Sequence, residues 1–289
     1  MSDKLDKDDV TGVETTGHEW DGIKELNNPL PRWWVWVWLL TIVWSIGYYF
    51  VYPSWPTLSG YLQGSADWSS RGEVAKELDQ LRQMQAQYRT AMEGKTLAEI
   101  KADASLMDFA YRGGQSAFGL FCSQCHGRGA EGAVGIANLN DDYWIWGGTL
   151  EEIQTTIQHG VRDENDFDSR YAMMPAFVKD GILDQAQAKE VASYVMAMSD
   201  RSIRASQEGA TLYQEQCATC HGERGEGLKE MGGPRLNDAI WLYQGGVEAV
   251  YQQIVSPKHG MMPAWGSRLD PVTIKQLAIY VHSLGGGEN

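Results

Sequence analysis

Cys122-Ser123-Gln124-Cys125-His126 and Cys217-Ala218-Thr219-Cys220-His221 concentrate the reactive side chains of this 289-residue chain. In a C-x-x-C-H run, two thiols can form thioether bonds to the vinyl groups of a haem while the adjoining imidazole takes one axial position on the iron. A lone C-x-x-C also suits half a zinc site or a dithiol redox pair. Here the run occurs twice and uses all four cysteines of the chain, so none remains to complete a cysteine-rich zinc site. The glycine-rich surroundings lack the alternation of strand and helix that a thioredoxin-like dithiol requires. The reading that follows is two covalently bound haems c.

The opposite axial position calls for a neutral soft donor downstream, because a Met thioether facing His saturates the iron and raises its potential. Met173-Met174-Pro175-Ala176-Phe177 and Met261-Met262-Pro263-Ala264-Trp265 supply one after each attachment motif. Most methionines at apolar positions fill cores, but this pattern recurs. Proline holds the preceding residue extended, which suits a loop that presses a side chain against an iron. Met174 and Met262, immediately before the prolines, are therefore the expected ligands, with Met173 and Met261 as alternatives. This pattern resembles the ligand loop of class I cytochromes c.

The chain is duplicated. Cys122 and Cys217 are 95 residues apart, Leu139-Asn140-Asp141 and Leu236-Asn237-Asp238 are 97 apart, and His159-Gly160 and His259-Gly260 are 100 apart. Met174 and Met262 are only 88 apart, so the first copy carries 12 extra residues, Val161 to Ala172. Two tandem domains, 104–200 and 201–289, account for these offsets. Apolar periodicity predicts helices over 104–121, 149–158 and 184–198, and over 204–216, 246–255 and 270–284, with no convincing strand in either copy. The fold class is all-α, and a covalent cofactor gives such small domains a large apolar body to pack around. Each Met is expected to serve the haem of its own copy, and an exchange between copies is left open.

These domains are preceded by a different kind of segment. Residues 1–31 are polar, with Asp3, Asp6, Asp8, Asp9 and Glu14, and are expected to lack fixed structure as far as about Trp20. Residues 33–52 contain no charge, and about 20 helical residues match a hydrocarbon core of about 30 Å. Trp33, Trp34 and Trp36 at one end and Tyr48, Tyr49, Tyr52 and Trp55 at the other form the aromatic belts of a transmembrane helix, placed at 32–53. Without a basic start followed directly by the apolar run, or a small-residue cleavage site, the segment reads as an uncleaved anchor rather than a signal peptide. Lys24 and Arg32 lie before the span and the next basic residue is Arg71, so the N-terminus is expected in the cytoplasm. C-x-x-C-H haem attachment in bacteria is associated with the periplasm, in agreement. Residues 54–103 are a periplasmic linker with a spacer helix over 71–93. The net charge of −14 excludes a general nucleic-acid binder.

The run His18-Glu19-Trp20-Asp21-Gly22-Ile23-Lys24-Glu25-Leu26-Asn27-Asn28-Pro29-Leu30-Pro31-Arg32-Trp33-Trp34 resembles the N-terminal signature of the diheme subunit III of cbb3-type cytochrome c oxidases. The resemblance extends over essentially the whole chain: one anchor, a linker and two cytochrome c domains. It implies a bacterial inner-membrane protein with periplasmic haem domains. It implies acceptance of electrons from a soluble or membrane-anchored cytochrome c, or from the bc(1) complex. It also implies delivery through a monohaem c subunit to the catalytic haem b and copper subunit, which reduces oxygen to water. Carried over residue by residue, Cys122, Cys125, Cys217 and Cys220 hold the two haems, with His126, Met174, His221 and Met262 on the irons. An iron bound by both His and Met has no open position, so no residue of this chain is expected to be catalytic; any enzyme activity belongs to the proton-pumping complex. A diheme peroxidase would need a vacant iron position, against which the paired Met-Pro motifs argue. A haem-based sensor would be expected to carry a signalling domain, whereas this sequence reaches Asn289 just after its second cytochrome helix. A donor subunit of another membrane reductase is disfavoured by the N-terminal signature.

Other matched residues have plainer readings. His159 and His259 are expected to cap helix ends rather than bind propionates or replace an axial ligand. His282 is read as structural, and Trp144 and Trp241 as haem-pocket packing. The 161–172 insertion is expected to be a solvated loop, its acids Asp163, Glu164, Asp166 and Asp168 helping to steer a basic cytochrome c. A calcium loop fits poorly, for want of the required glycine and distant acidic ligand.

Overall fold

The computed structural model describes residues 6–288, so Asp3 and Asn289 lie outside the described residues. The chain forms two compact units, 1–84 and 85–289.

In the first unit, strands β1 (Thr15–Trp20) and β2 (Ile23–Leu26) pair antiparallel with Trp20 opposite Ile23. The expectation of an unstructured start therefore fails. Asp21 and Gly22 both take positive φ, 48° and 85°, as a two-residue hairpin turn of the strand-matching hand demands. Lys24 pairs with Asp6, and the Thr16 hydroxyl donates to Glu25. Helix α1 (Arg32–Val51) follows, with Pro31 before its first turn and no buried residue along its length. A short hairpin, β3 (Pro56–Thr57) with β4 (Gly60–Tyr61), occupies part of the expected extended connection. Tyr48 stacks on Tyr52 at 4.5 Å, and Trp55 lies 5.3 Å from Tyr49, at the far end of α1. The boundary between the units falls inside α2 (Ser70–Glu93).

The second unit is helical: α3 (Leu97–Ala102), α4 (Ala104–Phe121), α5 (Ser123–His126), α6 (Leu150–His159), α7 (Gln185–Ser199), α8 (Gln207–Gln216), α9 (Ala218–His221), α10 (Val247–Val255) and α11 (Pro271–His282). Side chains set most of the starts. Reciprocal capping boxes open α3 (Thr96 with Glu99), α6 (Thr149 with Glu152) and α7 (Asp184 with Gln187). Asp103 and Asp270 cap α4 and α11, and Pro271 sits in the first turn of α11.

The two copies are tandem in sequence and interleaved in space. Helix α4 of the first copy packs on α11 of the second, and α11 also packs on α6; α8 of the second copy packs on α7 of the first, and α7 also packs on α10. One core accordingly joins Leu106, Ala110 and Phe118 with Leu277, Ala278 and Val281. The other joins Ala188, Val191 and Val195 with Tyr213, Val250 and Ile254. A β-carbon on Gly114 of α4 would run into the Gln276 carbonyl and the Tyr280 side chain, and one on Gly209 of α8 into the Glu190 carbonyl. Both glycines lie eight residues before their first cysteine, and both let a partner helix approach backbone to backbone. The short link between α7 and α8 makes this pairing the local one. Consecutive helices joined by few residues become antiparallel neighbours at little loop-closure cost.

Candidate haem centres

Each attachment motif is a single helical turn, α5 or α9, set directly after its entry helix, with Cys122 and Cys217 at the junctions. A glycine follows each histidine, Gly127 at φ 81° and Gly222 at φ 83°, and turns the chain away. Gly132 N–H then donates to the His126 carbonyl and Gly227 N–H to the His221 carbonyl. The imidazoles are held from behind. His126 Nδ1 donates to the Ala137 carbonyl at 3.0 Å, and His221 Nδ1 to the Pro234 carbonyl at 2.8 Å. That bond fixes the tautomer and leaves each Nε2 lone pair for a metal. Burial lowers the proton affinity of both rings, so both stay neutral donors at neutral pH. Burial likewise pushes the Cys122 thiol up to about 11 and the Cys217 thiol to about 12, and all four cysteines are free of disulfides. Two thiols, an Nε2 with its lone pair free, and a thioether form a donor set that fits a covalently attached haem.

Each of the two methionines that precede proline packs beside the attachment motif of the other copy. Met262 packs against the first core, as do Cys122, Leu139 and Trp144, and Met174 packs with Leu236 and Trp241 against the second core, which contains Cys217. Each is partly buried, whereas Met173 and Met261 are 52% and 66% exposed and project outward. The residues around Met262 are bound to the first copy. Val161 and Met262 exchange both backbone hydrogen bonds at 2.9 Å, Trp265 N–H donates to Ile157, and Gly266 N–H to Gln158. Met174 N–H donates to His259 Nε2 at 3.0 Å. The expectation that each copy supplies its own Met does not match this packing.

Other expectations also change at this level. His259 accepts from the backbone of Met174, and His159 pairs with Asp166 at 3.1 Å, so neither spends its ring on a helix-end carbonyl. The 161–172 insertion is a strap rather than a solvated loop. Asp163 is 9% exposed and accepts Ala264 N–H at 2.7 Å, while Arg162 donates to the Gly260 carbonyl. Of the four acids proposed for steering, only Glu164 and Asp168 are exposed. His282 bonds the Glu288 carbonyl, as a structural role requires, and Trp144 Nε1 donates to the Gly286 carbonyl beside the first core.

Comparison with known proteins decides the family. Residues 12–59 match the model described as the N-terminal domain of cytochrome oxidase-cbb3, FixP. Residues 109–195 and 204–281 match cytochrome c oxidase, cbb3-type, subunit III. The chain belongs to the subunit III family of cbb3-type cytochrome c oxidases. It is 48% identical over 284 residues to the cbb3-type cytochrome c oxidase subunit FixPc of Rhizobium leguminosarum bv. viciae, covering 97% of this chain and 98% of that one. It is 44% identical over 290 residues to the subunit CcoP of Cereibacter sphaeroides, covering the whole of both chains. It is 46% identical over 291 residues to the subunit FixP of a Bradyrhizobium strain, again over the whole of both. Membership of the family carries haem c binding and the companionship of the other oxidase subunits. It also puts the subunit in an oxidase of the membrane, with α1 long and apolar enough to cross one.

Proposed function

We propose that this subunit carries two haems c and relays electrons in single steps toward the oxygen-reducing subunit of its complex. The observation that carries the reading is the pair of matched donor sets, each a free imidazole Nε2 in a core with a half-buried methionine. On this reading, Cys122, Cys125, His126 and Met262 would hold one haem, and Cys217, Cys220, His221 and Met174 would hold the other. With both a His and a Met donor at each site, a haem held there would supply a one-electron couple and no open iron position. The chain's own part is to present the thiols, keep each imidazole neutral and press each thioether inward. It leaves oxygen chemistry to the companion catalytic subunit.

The proposed placement is single-pass in a bacterial inner membrane, N-terminus in the cytoplasm and haem domains in the periplasm. It is supported by Lys24 and Arg32 before α1 and by the uncharged, aromatic-ended span. The proposed donor is a cytochrome c or the bc(1) complex, and the proposed acceptor a monohaem c subunit. Purification from native membranes in mild detergent tests the reading. Expected are co-purification with a haem b and copper subunit and another c-type subunit, and oxygen consumption when reduced cytochrome c is supplied. Isolation of the chain with a different reductase and no respiration would remove it from the oxidase.

A further inference from the structure

The 12-residue insertion is present in the first copy alone, and its first three residues all grip the second copy. Val161, Arg162 and Asp163 bond in succession to Met262, Gly260 and Ala264. Val161 holds the methionine backbone on both its N–H and its carbonyl. Gly160, at φ 70°, lies so close that a β-carbon there would strike the Met262 carbonyl. Asp163 is the pivot. One carboxylate oxygen takes the Ala264 N–H; the other takes the Asn165 backbone and side-chain N–H groups; and its own N–H donates to the Ser169 hydroxyl. Ala264 is itself buried. The Met174 loop has no such strap, because the second copy lacks the insertion; its methionine N–H is held by His259 alone among the described side chains.

We propose that Asp163 is a positioning residue for the distal ligand of the first haem: by fixing Ala264 it sets the height of Met262 over the site of His126. The inference rests on the reading of Met262 as that ligand. A charged acceptor in a buried site holds its donor more tightly than a neutral one. Without it, the Ala264 N–H loses its partner, while the two Val161 bonds and those of Trp265 and Gly266 to Ile157 and Gln158 keep the strand in register. The effect is therefore on the iron–sulfur bond rather than on the fold.

The test uses the full chain in its complex. Asp163→Ala, Asp163→Asn, Glu164→Ala and Met262→Leu are compared for the ferric iron–thioether charge-transfer band and for the two components of a redox titration. Met262→Leu identifies the component it shifts, and halves the band. Asp163→Ala is expected to move that same component to more negative potential and to weaken the band by a smaller fraction, leaving the other component in place. Asp163→Asn, which keeps an acceptor for Ala264 without the charge, is expected to fall between Asp163→Ala and the wild type and serves if the alanine variant does not assemble. Glu164→Ala, exposed on the same strap, is expected to change neither readout. Were Met262→Leu to shift a component and halve the band while both Asp163 variants matched the wild type, the positioning role would be wrong and the ligand reading would stand. Were Met262→Leu itself without effect on the band, both would fall.

Discussion

The ring of Phe121, which immediately precedes the first attachment motif, lies 5.6 Å from the ring of Trp265, three residues after Met262. The two residues are 144 positions apart and belong to different copies of the repeat. Their contact places the methionine loop of the second copy against the cysteines of the first, and it ties the stability of that site to both copies.

Truncation of one helix should therefore be felt in the other copy. Leu277 of α11 is fully buried against α4, and Leu277→Ala is expected to cost about 2–5 kcal/mol. Hydrogen exchange should accelerate in α4 and α6 more than in α8 and α10. Val191→Ala, at an equally buried site in α7, should cost roughly 1.5–3 kcal/mol and show the opposite pattern.

Two glycines of one helix should respond in opposite ways. Gly114→Ala forces a methyl group into the α11 backbone and is expected to destabilise by about 1–3 kcal/mol. Gly119 is exposed on the same helix with nothing within 4 Å of an added β-carbon, so Gly119→Ala is expected to stabilise by roughly 0.5–1 kcal/mol. Thermal unfolding of the two variants in detergent measures the contrast.

Tyr213 is completely buried, and its hydroxyl donates to the Gly222 carbonyl at 2.7 Å, just past His221. Burial raises its pKa well above the ordinary tyrosine value, so it remains a donor throughout the working range. Tyr213→Phe leaves that carbonyl with only the longer bond from Gly225 N–H, at 3.3 Å, and is expected to cost about 0.5–1.5 kcal/mol. Denaturant midpoints followed by the Soret absorption check it, with loosening expected at the second haem.

Asp270 gives a pH dependence of known sign. Burial alone would raise its pKa, but hydrogen bonds from Thr273 and the charge of Arg89 outweigh burial and hold it below the usual carboxylate range. Its contribution is therefore complete above the unfolded pKa of about 3.9 and is lost as pH falls through the lower folded value. Asp270→Asn keeps the cap and removes the charge. Its stability deficit at neutral pH should shrink toward zero as the pH falls below about 4. A deficit independent of pH would show that the charge contributes nothing.

Much of the site could be read from the residues. C-x-x-C-H and Met-Pro are each recognisable within a few consecutive residues, and the helix caps at Thr96, Thr149, Asp184 and Asp270 are equally local. What could not be read was which copy each apolar face meets. Because the copies resemble each other, α4 can bury the same stripe against α7 or α11, and only the short α7–α8 connection favours the crossed choice. Gly114 and Gly209 carried a signal for close helix contact, since glycine weakens a helix unless something needs the space. Asp21-Gly22 carried another, the turn of the N-terminal hairpin, hidden among polar residues. The strap looked solvated because it is acidic, although two of its four acids turn inward to partners.

The crossed pairing of methionine and attachment motif is tested most directly in a chain whose second motif is disabled by Cys217→Ala and Cys220→Ala, leaving one haem at Cys122 and Cys125. Into this background Met262→Leu and Met174→Leu are introduced separately, and the ferric iron–thioether band is recorded. The account predicts that Met262→Leu abolishes the band and Met174→Leu leaves it intact. Loss of the band with Met174→Leu and its survival with Met262→Leu would contradict the account.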